Sequence, residues 1–178
     1  GLPDLNVFGV WNPTQGPAYT GAGTRALVID DGFDYTHSDF DNYDQSLDFD
    51  WDALDNGSNG NHDLDPFGNA GDAHGTAVAG IIGANDDGTG AVGVAYNTSL
   101  VGYRTHGFIT DGWLQDIRDS IAFGATNAQA DVANISQGIA NDAASEFSVG
   151  YVAARFDEIE TAIGTAVNTS TWTKGRSM

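Results

Sequence analysis

In "VIDDGFDYTHSDF" the apolar run Ala26–Ile29 ends in two adjacent carboxylates, Asp30 and Asp31, followed by a glycine. Neighbouring anions at the end of a buried strand repel each other, so the pair calls for a chemical reason. His74, which opens "HGTAVAGIIGA" just before Gly75, supplies one. The positive end of a helix dipole disfavours an imidazolium at that position, and a general base must be neutral. A buried aspartate beside the ring would fix its tautomer and stabilise the imidazolium formed in a transition state. Asp30 and His74 therefore suit two members of a Ser-His-Asp triad. Each also has a plainer reading, Asp30 as a turn cap and His74 as a satisfied helix cap.

Such residues need elements to hold them. Arg25–Asp30, Ser99–Arg104 and Asp131–Ser136 are short and rich in apolar residues, and are predicted to be buried strands. Three helices are predicted. His74–Ala84 is small and apolar on every face and is expected to be buried all round. Asp111–Asn127 repeats Trp113, Leu114, Ile117, Ile121 and Ala122 at helical spacing, and Ser148–Val167 is the third. A short helix is expected within Asp4–Trp11, a turn at Thr20–Thr24, and mostly loop from Asp41 to Asp72. This alternation predicts one α/β domain with a parallel sheet and right-handed crossovers. Functional groups in such sheets collect at the carboxyl ends of the strands, where Asp30 and Ser136 fall.

Composition narrows the partners. The 178 residues carry a formal charge of -19 and no cysteine. That balance speaks against nucleic acid or an anionic membrane as partner and removes disulfide and thiol chemistry. No apolar run reaches the length of about 18 residues that a membrane span needs. Between Arg25 and Arg104 there is no lysine or arginine, while aspartates recur from Asp30 to Asp87. The stretch is either a solvated acidic surface or a set of cation sites. Asp48, Asp50 and Asp52 alternate, so a strand would place them on one face. With Asp55, Asp63 and Asp65 they form one candidate cation site.

"VIDDGFDYTHSDF" followed by "HGTAVAG" resembles the subtilases, serine peptidases with the chain order Asp, His, Ser. The kexin and furin branch is the nearer one, through "DLNVFGVWN", "YTGAGTRALVIDDG", "SLDFDWD" and "GAVGVAYNTSLVGYR". The resemblance covers nearly the whole chain, with gaps mainly between Asp52 and Asp72. It implies a subtilisin-like three-layer α/β fold with a mainly parallel sheet, incomplete at the C-terminal side. Residues 1–178 would be the N-terminal part of a catalytic domain. Asp30 would be the triad aspartate and His74 the general base. Ser136, Gln137 and Gly138 would bind an extended peptide by its backbone. Asp31 and Asp72 would favour a basic residue near the cut, although Asp31 could equally hold a loop through backbone hydrogen bonds. Gln137, Ile139 and Asn141 depart from the tryptophan and acidic residues of that branch, which weakens a basic preference.

The resemblance also implies structural calcium. "GANDDGTGAVG" (83–93) is similar to the calcium loop after the histidine helix. Asp39 and Asp87 would supply side chains, and Ala84, Thr89 and Ala91 carbonyls. A nucleophilic serine in a Gly-Thr-Ser-X-Ala setting and an oxyanion asparagine have no match here. The expectation is therefore a secreted or extracellular serine endopeptidase acting on peptides or proteins, inactive as this chain alone and dependent on the remaining C-terminal half of the domain. The alternative is a non-catalytic, calcium-dependent binding module on the same fold.

Overall fold

The computed structural model describes residues 7–14, 16–51, 67, 71–105, 111–138 and 149–169. The elements, in chain order, are α1 (Phe8–Trp11), β1 (Arg25–Asp30), β2 (Phe49–Asp50), α2 (His74–Gly83), β3 (Ser99–Arg104), α3 (Asp111–Gly124), β4 (Val132–Ile135) and α4 (Val149–Thr169). The strands form one sheet in the order β2-β3-β1-β4, and every pairing is parallel. β1 and β3 match the predicted bounds, and the helices end within a few residues of theirs. β2 lies in the stretch otherwise expected to be loop.

Alternation along β1 splits the core in two. Leu27 and Ile29 join Val101, Tyr103 and the apolar stripes of α3 (Trp113, Leu114, Ile117, Ile121) and α4 (Ile159, Ala162, Ala166). Ala26 and Val28 face the other way, with Leu100, Phe33, Phe40 and Ala79 of α2. The sheet is thus a middle layer with helices on both faces, the three-layer arrangement expected of a parallel sheet. Leu27 and Ile29 are fully buried, each worth about 1.5–3 kcal/mol in area removed from water. That burial fixes β1, and with it Asp30 at its carboxyl end.

The expectation that α2 is buried all round does not hold among the described residues. Gly75, Ala79 and Gly83 are buried, but Ile81 is 65% exposed. One face packs on the sheet, and no described element covers the other. The small residues serve close approach instead. A Cβ on Gly83 would meet Thr98 and Leu100 of the β3 region within 3.3 Å, so only glycine lets the helix lie against the strand.

Candidate active site

The carboxyl ends of the strands bring the chemistry together. Across the sheet they present Asp50, Arg104 and Asp30, with Ser136 following β4. Asp30 is fully buried, and its Oδ1 accepts a hydrogen bond from His74 Nδ1 at 2.8 Å. The same oxygen accepts the Asp31 N–H at 2.8 Å. Thr105 N–H donates to the Asp30 carbonyl at 2.8 Å, which pins the backbone under the carboxylate. The His74 side chain is 55% exposed, so one ring nitrogen is anchored while the ring remains open to solvent. Gly75 makes this approach possible, since a Cβ there would run into the Gly32 carbonyl and lie 2.9 Å from Asp30 Cβ.

The electrostatics follow from the geometry. Burial pushes the Asp30 carboxyl above its ordinary value, against the opposing pull of the His74 and Asp31 hydrogen bonds. The Asp30 hydrogen bond and charge raise the His74 pKa, with a smaller push from Asp31. The helix dipole was expected to act in the opposite sense, and the carboxylate at 2.8 Å outweighs it. An ionised Asp30 requires the proton on Nδ1, which leaves the Nε2 lone pair for chemistry.

Asp31 faces the helix start. Its Oδ1 accepts the Gly75 N–H at 2.8 Å, satisfying one of the first-turn donors of α2 that the preceding Ala73 cannot cap. The loop-holding role considered for Asp31 is thus present, and it places an anion at the positive end of the helix. Asp30, Asp31 and His74 offer ligand atoms within 4.8 Å of one another, close enough to reach a common cation. Asp30 Oδ1 and His74 Nδ1 already share a proton, and Asp31 Oδ1 already takes an amide.

Arg104 is the site residue that motif reading missed. It ends β3 opposite Asp30 and Asp50 in register, and its side chain is 10% exposed. Nε donates to the Asp31 carbonyl at 3.0 Å, Nη1 to Asp50 at 3.2 Å and Nη2 to Asp72 at 3.3 Å. The only sequence signal was its place as the first lysine or arginine after Arg25. Asp72, expected to attract a basic substrate side chain, is thus paired with an internal cation. Asp50 is paired likewise. β2 is only two residues long, so the alternating face proposed for Asp48, Asp50 and Asp52 is not built as a strand. Asp52, Asp55, Asp63 and Asp65 lie outside the described residues, as do Ile139 and Asn141.

Ser136 and Gly138 are exposed beyond β4, which pairs with β1 and is an edge among the described strands. The Ser136 hydroxyl donates to Asn134 Oδ1 at 2.8 Å. Gln137 Oε1 accepts from Trp113 Nε1 at 3.0 Å and from Thr105 Oγ1 at 3.3 Å, so this side chain is tied inward.

Away from the strand ends, Asp39 is buried and reaches the 83–93 loop, where its Oδ2 accepts the Ala91 N–H at 2.9 Å. The Asp39 carbonyl takes the Asn85 N–H at 2.9 Å. Gly90 bends the loop over this carboxylate with φ at 64°. His37 lies beside it, and its Nδ1 accepts the Asp39 N–H at 3.2 Å. A buried carboxylate calls for hydrogen-bond donors or a cation; the Ser38 hydroxyl and the Ala91 N–H are the donors described here. Asp87 is exposed, and its Oδ1 is held by the Thr89 N–H and hydroxyl, which lower its pKa. Ala84 is buried and its carbonyl accepts the Gly93 N–H at 2.9 Å, while Thr89 and Ala91 are exposed.

Residues 21–176 match the family model described as the subtilase family of S8 peptidases. The chain belongs to the subtilase family. Among the relatives of this subtilase, a thermophilic serine proteinase of Bacillus sp. (strain AK1) is 36% identical over 129 residues, covering 72% of this chain and 28% of the relative. Furin-like protease 2 of Drosophila melanogaster is 31% identical over 154 residues, covering 85% of this chain and 8% of that protein. The chain therefore spans only a minor part of these relatives. The structure of a cold adapted subtilisin-like serine proteinase superposes with a TM-score of 0.57 at 25% identity, over 84% of this chain and 44% of that one. An epidermin leader peptide processing serine protease from Staphylococcus aureus superposes with a TM-score of 0.59 at 26% identity, over 83% of this chain and 35% of that one.

Proposed function

We propose that this subtilase chain is the N-terminal part of the catalytic domain of a serine endopeptidase. The observation that carries the reading is the 2.8 Å bond from His74 Nδ1 to the buried Asp30, at the carboxyl end of the central strand β1. With Nδ1–H held by the carboxylate, Nε2 takes the proton of an attacking serine hydroxyl, and Asp30 stabilises the imidazolium that results. The serine and its oxyanion asparagine come from protein outside these residues, so the chain by itself is inactive. Loss of one oxyanion donor costs about 10²–10³ in rate, and loss of the serine on the order of 10⁶ in subtilisin, a relative.

An extended peptide or protein segment adds to the exposed edge of β4 at Ser136–Gly138, using main-chain hydrogen bonds. Of the two acidic residues expected to read a basic side chain, Asp72 is engaged by Arg104, which leaves Asp31 as the principal candidate. Calcium is the proposed structural ion. Asp39 would hold it together with carbonyls of Ala84, Thr89 and Ala91 and the Asp87 side chain, and the ion would offset the buried charge of Asp39. The setting proposed is secreted or extracellular. No described helix is long and apolar enough to cross a membrane.

A fluorophosphonate probe tests the enzyme reading, because it labels activated serines. Expected is labelling of the complete protein at a serine outside residues 1–178, abolished in His74→Ala, and no labelling of the isolated chain. Labelling of a serine within the chain, in step with peptide hydrolysis, would overturn the assignment. A complete protein that binds peptides but never labels would support the binding module instead.

A further inference from the structure

We infer that Arg104 is a positioning residue for the Asp30–His74 pair, locking the strand end that carries the carboxylate to the segment that delivers the histidine. Three elements meet on one guanidinium. Nε holds the Asp31 carbonyl at 3.0 Å, one peptide beyond Asp30. Nη2 holds Asp72 at 3.3 Å, two residues before His74. Nη1 holds Asp50 at 3.2 Å, at the end of β2. The next residue, Thr105, donates its N–H to the Asp30 carbonyl at 2.8 Å. Arg104 at the end of β3 and Thr105 just after it thus fix both carbonyls that follow the Asp30 and Asp31 side chains, while the same guanidinium tethers the approach to α2. The side chain of Asp30 has a single described route to His74, through Oδ1, so its alignment depends on this backbone. A planar fork with several donors can serve three acceptors in fixed directions, and a lysine ammonium cannot reproduce that geometry.

The test separates position from charge. His74 faces Asp30 and Asp31 at the end of β1, with the Asp72–Arg104 pair behind its own helix start. Removing a nearby cation raises a histidine pKa, whereas loosening the Asp30 bond lowers it. Arg104→Lys keeps the charge and breaks the fork, so any fall in the His74 pKa is positional. In the complete protein containing this chain, NMR titration of His74 should show a fall of about 0.5 unit or more in Arg104→Lys. Turnover should drop about tenfold or more with KM little changed, as expected when reacting groups are misplaced. Arg25→Lys is the control, because Arg25 pairs with Asp44 at the opposite end of β1; it should move neither quantity.

The kinetic arm rests on the endopeptidase reading and the NMR arm does not. An unmodified protein without hydrolysis would end that reading, and the His74 titration would still decide the role of Arg104. In Arg104→Gln the loss of charge opposes the fall, so a fall there supports the proposal more strongly. An unchanged or raised His74 pKa in Arg104→Lys would overturn it. So would failure of both Arg104 variants to fold while Arg25→Lys folds, since Arg104 would then be a general structural residue.

Discussion

Asp30→Asn separates two ways in which a buried carboxylate can assist a histidine. Asp30 Oδ1 accepts from both His74 Nδ1 and the Asp31 N–H, each at 2.8 Å. Oδ2 is buried and has no hydrogen-bond partner among the described residues. An asparagine must place its amide oxygen or its NH2 at the Oδ1 position. The NH2 would point donors at the Asp31 N–H, so the oxygen takes that place and the NH2 occupies the Oδ2 position. The Nδ1–H tautomer then survives, in contrast to the flipped tautomer expected from the triad pattern alone, which costs about 10⁴ in turnover. What is lost is the charge. A hydrogen bond to an ionised group is worth about 1.5–3 kcal/mol, so turnover of the complete enzyme should fall about 10- to 10²-fold. Hydrolysis kinetics on a peptide substrate give the rate, and nitrogen NMR of the His74 ring gives the tautomer. A loss near 10⁴ accompanied by a proton on Nε2 would refute this reasoning, because it would put the NH2 against Nδ1.

Two further outcomes follow from the same structure. His74 has a raised pKa in the folded state, so the stability contributed by its pair with Asp30 is fully present below its unfolded value of about 6.5 and is lost as pH rises through the folded value; melting temperatures across pH 5–9, a range of about four units, should show this loss, and Asp30→Asn should remove it. Millimolar calcium should raise the melting temperature, and Asp39→Ala should weaken that rise; an unchanged melting curve for the unsubstituted protein would dismiss calcium at the 83–93 loop.

The local chemistry was readable in the sequence, and the long-range chemistry was not. β1 announced itself because an apolar run ends abruptly at Asp30, and α2 because His74-Gly75 opens a compact apolar stretch. Both signals lie within a few adjacent residues. The family motif also tied Asp30 to His74 across 44 positions. Arg104 had no such help. Its partners stand 32, 54 and 73 positions away; the parallel register of β3 with β1 and β2 brings Asp31 and Asp50 within reach, and the approach to α2 brings Asp72. For the same reason Asp72 was assigned to a basic substrate residue and Asp50 to a cation site, rather than to Arg104. Asp31 could be assigned either to the cleft or to a loop, and its bond to Gly75 depends on a helix-to-strand distance that no spacing encodes. The exposure of Ile81 was hidden too, since composition shows that α2 is apolar but not which of its sides meets the sheet.

The position of β1 between β3 and β4 also sets an order of events during synthesis. β1 emerges from the ribosome before both of its neighbours in the sheet, which end at Arg104 and Ile135. At a translation rate of about 5–20 residues per second, the strand waits on the order of 5–20 s for the second of them. Through that interval Ala26–Ile29 offers an apolar surface with two unpaired backbone edges until β3 is made and one until β4 is made. The segment that carries the Asp30 carboxylate is therefore made well before the second of its sheet partners and is secured only when that partner arrives.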